Sequence, residues 1–139
     1  MPIFHNPQEI RVPKYSTHGV EVRAGARTLY ITGQIAVDLD GSIPRGIGAQ
    51  TELVFAKLSA TLASAGMRFT NLVKTTVFLV RPEDYDEFIA VRSRILGDIR
   101  PASSLVFVKG LPVSPDLLLE LEAIAAYEQG RDERRKERA

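Results

Sequence analysis

Between Leu117 and Tyr127 every odd-numbered residue is apolar: Leu117, Leu119, Leu121, Ala123, Ala125 and Tyr127. A strand sends successive side chains to opposite sides, so this run commits one whole face of a sheet to burial. The even positions, Leu118, Glu120, Glu122, Ile124 and Ala126, are mixed instead of solvent-like. The stretch from Leu105 to Val108 has the same two-sided character, with Leu105 and Phe107 opposing Val106 and Val108. A sheet apolar on both faces needs two covers. Helices of the same chain can supply one, and another subunit must supply the other. The patterning alone therefore predicts an oligomer, without fixing the number of subunits.

The rest of the chain supplies those helices. Residues up to about Ser16 are rich in proline and polar groups and read as an irregular lead-in. Val20 to Ala24 and Thr28 to Thr32 read as strands joined by the turn Gly25-Ala26-Arg27, so a hairpin is expected there. Gly33 follows, where a glycine marks a bulge or a close backbone approach. Asp38-Leu39-Asp40-Gly41 is turn chemistry. Val54, Leu58, Leu62 and Ala65 then fall on one helical face, and Gly66 stands where a helix ends. Leu72 to Val80 reads as a strand. Pro82, Glu83 and Asp84 suit a second helix start, and Tyr85, Phe88, Ile89, Arg92, Ile95 and Leu96 line one face before Gly97. The order β-β-α-β-α-β-β predicts an α+β fold: a single sheet with two helices on one face. Residues 1–128 form one domain, and the charged tail 129–139 reads as solvated.

Composition narrows the function classes. A chain of 139 residues with 18 basic and 17 acidic side chains has a net charge of +1, which gives no bulk attraction to nucleic acid or membranes. With no cysteine, thiolate chemistry and disulfides are absent, and two histidines are too few for a histidine metal cage. No apolar run approaches a membrane span. These features predict a cytoplasmic protein with no metal, no cofactor, no nucleic-acid partner and no membrane partner.

Several stretches resemble the YjgF/Rid family of enamine/imine deaminases. They are Ile31-Thr32-Gly33-Gln34-Ile35, the helix ending Leu62-Ala63-Ser64-Ala65-Gly66, the strand Leu72-Val73-Lys74-Thr75-Thr76-Val77-Phe78-Leu79, and Glu120-Leu121-Glu122-Ala123-Ile124-Ala125. The segment Arg100-Pro101-Ala102-Ser103-Ser104 sits at the family's signature, in the expected order. The resemblance covers roughly Tyr15 to Tyr127. It implies a chorismate-mutase-like fold assembled as a homotrimer, with small-molecule clefts between neighbouring subunits. Carried over, the cleft uses Tyr15, Gly33 and Ser103 to bind substrate and Glu120 as the catalytic carboxylate that activates water. In the family the signature reads Pro-Ala-Arg-Ser, and its arginine grips the substrate carboxylate. Here Ser103 occupies that place, a short neutral donor where a planar cationic fork is usual.

Each candidate also has a plainer reading. Glu120 is either an acid/base group or a strand glutamate paired across an interface, and Glu122 on the same face reads as structural. Ser103 and Ser104 lack the strained elbow of a serine nucleophile, leaving Ser103 as a hydrogen-bond donor. Tyr15 closes the cleft or plugs an interface, and His18 reads as a surface histidine. Arg100 and Lys109 flank the signature as replacement cations, although strand alternation would turn Arg100 away from Ser103. The resulting function is a Rid-like hydrolase of C=N bonds with altered substrate preference. The alternative is a non-catalytic metabolite- or protein-binding member of the same family. A ribonuclease reading draws little support from the near-zero charge and the absence of aromatic-basic clusters.

Overall fold

The computed structural model of this chain describes residues 2–128, so the tail assigned to 129–139 lies outside the described residues. Among the described residues there are six strands and two α-helices: β1 (Ile3–His5), β2 (Gly19–Glu21), β3 (Arg27–Ile35), α1 (Ile47–Ser64), β4 (Leu72–Leu79), α2 (Tyr85–Leu96), β5 (Ala102–Phe107) and β6 (Leu119–Tyr127). Four of the strands form one sheet in the order β3-β6-β4-β5. β6 runs antiparallel to both β3 and β4, and β4 and β5 are parallel. Both crossovers, β3-α1-β4 and β4-α2-β5, step in the same direction across the sheet. Crossovers of one hand stepping one way put their helices on one face, which is the predicted arrangement.

The expected hairpin between the second and third strands does not form. β2 instead pairs antiparallel with β1, Phe4 facing Val20, in a separate two-stranded ribbon. Gly25 lies between β2 and β3 at φ 87°, where a side chain would be strained, and lets the chain leave the ribbon and enter the sheet. The lead-in is thereby tied down: Thr17 is buried, and its Oγ1 donates to the Arg100 carbonyl at 2.6 Å.

The core sits between the sheet's inner face and the helices. Val54, Phe55, Leu58 and Leu62 of α1 pack with Leu119, Leu121, Ala123 and Ala125 of β6 and with Phe88 and Leu96 of α2. Helix α1 ends in backbone bonds from Gly66 to the Ala63 carbonyl and from Met67 to the Leu62 carbonyl, with Gly66 at φ 70°. That is the left-handed termination the glycine predicted. Buried Gln50 stitches the start of α1 to two loops: its Nε2 donates to the carbonyls of Pro44 and Asp116, and its Oε1 accepts from the Leu118 N–H at 2.8 Å. Among the described residues, no helix is long and apolar enough to cross a membrane.

Among the described residues, no helix lies over the opposite sheet face. Register places Lys74 beside Ile124, Thr76 beside Glu122 and Ser104, and Phe78 beside Glu120 and Val106 on that open face. Tyr30 is 77% exposed and Val106 is also exposed, so apolar surface meets solvent where the sequence pattern demanded a cover.

Candidate functional site

Glu120 and Gly33 meet on the open face. Glu120 lies near the start of β6, flanked by Phe78 of β4 and Ile35 of β3. The β3–β6 pairing slips by one residue between Ile31 and Gln34, so the bulge falls at Thr32-Gly33. Gly33 is held as glycine by space and not by its backbone angle. A Cβ there would stand 2.7 Å from Cδ and 2.9 Å from Cγ of Glu120, and would overlap its Oε1. The sequence reading of Gly33 as a bulge or a close approach thus has both halves realised, inside the strand instead of after it.

Ser103 and Tyr15 lie on the other side. Parallel register sets Ser103 beside Thr75, whose own neighbour Ala123 belongs to the inner face. The Thr75 and Ser103 hydroxyls share a hydrogen bond of 2.8 Å, which leaves one hydroxyl proton free to donate. Ser103 opens into a cavity of about 370 Å³ between β5, α2 and the Pro13–Ser16 segment, with Tyr15 in its lining. Within one chain, the sheet therefore separates the pair Tyr15 and Ser103 from the pair Gly33 and Glu120.

The flanking candidates fall outside both clusters. His18 is exposed and its Nε2 bonds the Arg11 carbonyl at 2.7 Å. Lys109 lies exposed beyond β5. Arg100 precedes the strand, which begins at Ala102, so strand alternation does not govern it. Its charge instead reaches Arg92. Glu122 shares the open face with Lys74, whose ammonium donates to Ser104 Oγ at 3.1 Å. Burial holds Lys74 below the usual lysine value, and Glu122 opposes that shift. Among the described residues, no cluster of three or more histidine, aspartate or glutamate side chains could hold a metal ion.

One residue in the Ser103 cavity carried no functional reading in the sequence: Arg92 of α2. It is only 6% exposed, and its Nη2 donates to the Tyr15 carbonyl at 2.6 Å. Burial pushes its guanidinium below the ordinary arginine value, and the neighbouring charge of Arg100 adds to that; Tyr15 and Tyr85 act in the opposite sense. The signal was an arginine standing in the apolar stripe of a helix, beside Phe88, Ile89 and Leu96.

Comparison with known proteins gives a consistent answer. Residues 8–127 match the family model described as Endoribonuclease L-PSP. A RutC family protein from Pyrococcus abyssi is 37% identical over 102 residues, covering 72% of this chain and 79% of that one. The 2-iminobutanoate/2-iminopropanoate deaminase of Rattus norvegicus is 33% identical over 101 residues, covering 71% and 72%. Among solved structures, YyfB of Yersinia pestis, described as belonging to the conserved Rid protein family, superposes with a TM-score of 0.78 at 29% identity over 91% of this chain and 98% of that chain.

Proposed function

This chain belongs to the Endoribonuclease L-PSP (YjgF/Rid) family, and from that premise we propose that it hydrolyses the C=N bond of small enamines or imines in clefts between subunits of a homotrimer. The observation that carries this reading is the seating of Glu120 against Gly33, where only a residue without a side chain leaves room for the carboxylate. Glu120 takes a proton from water as its oxygen adds to the imine carbon. It returns that proton to nitrogen, giving a carbinolamine, then moves the carbinolamine hydroxyl proton to the same nitrogen. The C–N bond breaks, ammonia departs, and a carbonyl compound remains. The rat relative's name supports the substrate type.

The homotrimer reading draws on two features of the chain. The open face bears Tyr30, Phe78, Val106 and Ile124, and among the described residues no helix lies over it, so a neighbouring copy is its natural cover. The sheet also divides the candidate residues, so Tyr15 and Ser103 of one subunit join Gly33 and Glu120 of another across a boundary. Substrate preference differs from that of arginine-bearing relatives because Ser103 offers hydrogen bonding without charge.

Ammonia release from enzymatically generated 2-aminoacrylate and from a panel of imines, some without a carboxylate, tests the reading. The expected result is turnover that Glu120→Gln abolishes while ligand binding persists. Absence of turnover on every imine, or an undiminished rate in Glu120→Gln, would overturn it. Retained binding without turnover on any imine would favour the metabolite-binding alternative.

A further inference from the structure

The cavity beside Ser103 contains a buried positive charge with no counter-ion among the described residues. Arg92 is enclosed between α2 and the Tyr15 segment, and among the described residues its one hydrogen bond is to the Tyr15 carbonyl. Among the described residues no carboxylate pairs with it. Most of its N–H donors are therefore uncommitted. Removing a guanidinium from water without a balancing charge is costly. Nearby charges deepen the deficit: Arg100 acts on Arg92 as a like charge, Lys14 lines the same cavity, and no aspartate or glutamate lines it.

The rest of the cavity indicates what would restore the balance. Val77, Phe88 and Leu105 make apolar walls, and the free Ser103 proton stands at the β5 side. A void of about 370 Å³ matches a small molecule, and its furnishing suits an anionic head with a short aliphatic body. A planar guanidinium is the natural partner of a carboxylate, which it can grip through parallel bonds.

We infer that Arg92 is the carboxylate anchor of this chain, holding the acid group of a 2-imino or 2-oxo acid from helix α2 while Ser103 donates to the same ligand from β5. The positive charge enters the cavity from the helix, and the strand position is left with a short side chain. The space a long strand side chain would fill becomes room for the substrate body. This rests on the proposed C=N hydrolysis for its substrate class, but the anion site itself can be tested without turnover.

Calorimetric titration of the intact protein with 2-oxobutanoate and with its neutral amide is the direct experiment. The acid should bind at least tenfold more tightly than the amide. Arg92→Met should weaken the acid by roughly 10- to 100-fold with little effect on the amide, and Arg92→Lys should retain part of the preference. An arginine that merely props the Tyr15 segment would weaken both ligands together, and that result would overturn the inference. So would undiminished acid binding in Arg92→Met. Should Arg92→Met fail to fold, the Arg92 Nε–H resonance of the wild-type protein replaces it. The resonance should shift on titration with 2-oxobutanoate, and a stationary signal at saturating acid would refute the anchor. Imine turnover by the wild-type protein separates the two readings: acid binding that depends on Arg92 in a wild-type protein that turns over no imine upholds the anchor and removes the enzyme assignment.

Discussion

Gly33→Ala is the substitution that most directly tests whether the β3 bulge exists to seat Glu120. The added methyl would stand 2.7 Å from the glutamate's Cδ, whereas ordinary contact begins near 3.4 Å, so the carboxyl group must retreat. The obstacle is a flexible side chain on a partly exposed face, so the fold should survive. An off-rotamer glutamate costs roughly 0.5–1.5 kcal/mol, which corresponds to a drop in melting temperature on the order of a few degrees. Chemistry is less forgiving, because displacing a catalytic group by ~1 Å can cost on the order of 100-fold in rate. In an imine-hydrolysis assay, Gly33→Ala should therefore lose about two orders of magnitude in kcat while its melting temperature falls by only a few degrees. The mechanism is checked by a double-mutant cycle: in a Glu120→Gln background, the glycine substitution should cost almost nothing further. A wild-type kcat in Gly33→Ala, or a full additional loss in the double variant, would refute the reasoning.

Three further outcomes concern stability. Gln50→Leu leaves the Leu118 N–H and the Pro44 and Asp116 carbonyls without their amide partner, and should cost about 2–4 kcal/mol by urea denaturation with an unchanged m-value. Phe55→Ala removes a buried ring that meets Phe69 edge-on at 6.1 Å and should cost roughly 3–5 kcal/mol in the same measurement; a loss below ~1 kcal/mol would mean that the site collapses around the gap. Lys74 has a folded-state pKa below its ordinary value because of burial, so the unfolded chain holds that proton more tightly. Stability from this group should rise as pH climbs through the window just below the ordinary lysine value, and the penalty should be fully present at lower pH. Lys74→Met should flatten that rise; identical pH profiles for wild type and variant would reject the assignment.

The parts of the fold legible in the sequence were those whose signal is local and periodic. The α1 stripe from Val54 through Leu62, the termination at Gly66 and the alternation along β6 each depend on a few consecutive residues, and the structure reproduces them. The β1–β2 ribbon was not legible. Ile3–His5 and Gly19–Glu21 are short, and their pairing brings together segments separated by a proline-containing loop. Nothing within Val20 to Ala24 distinguishes a partner at β1 from one at β3, and loop closure alone favours the nearer strand.

The candidate site exposes a deeper limit. Alternation within β5 says that Ser103 and Ser104 point oppositely, and alternation within β6 says the same of Glu120 and Leu121, but neither states which parity of one strand shares a face with which parity of the other. That requires register: Thr75 beside both Ser103 and Ala123, and Phe78 beside both Glu120 and Val106. Once register is known, the serine and the glutamate prove to lie on opposite faces of one sheet, and the search for a replacement cation moves to whatever faces Ser103. Arg100 and Lys109 are near Ser103 in sequence but do not line its cavity. Arg92 shares its cavity because the β4-α2-β5 crossover lays α2 against β5. An arginine in an apolar helical stripe is costly unless something balances it, and the stripe from Phe88 to Leu96 contains no acidic residue facing it. The relevant question in the sequence was therefore what the helix's buried arginine binds, as much as what the serine lacks.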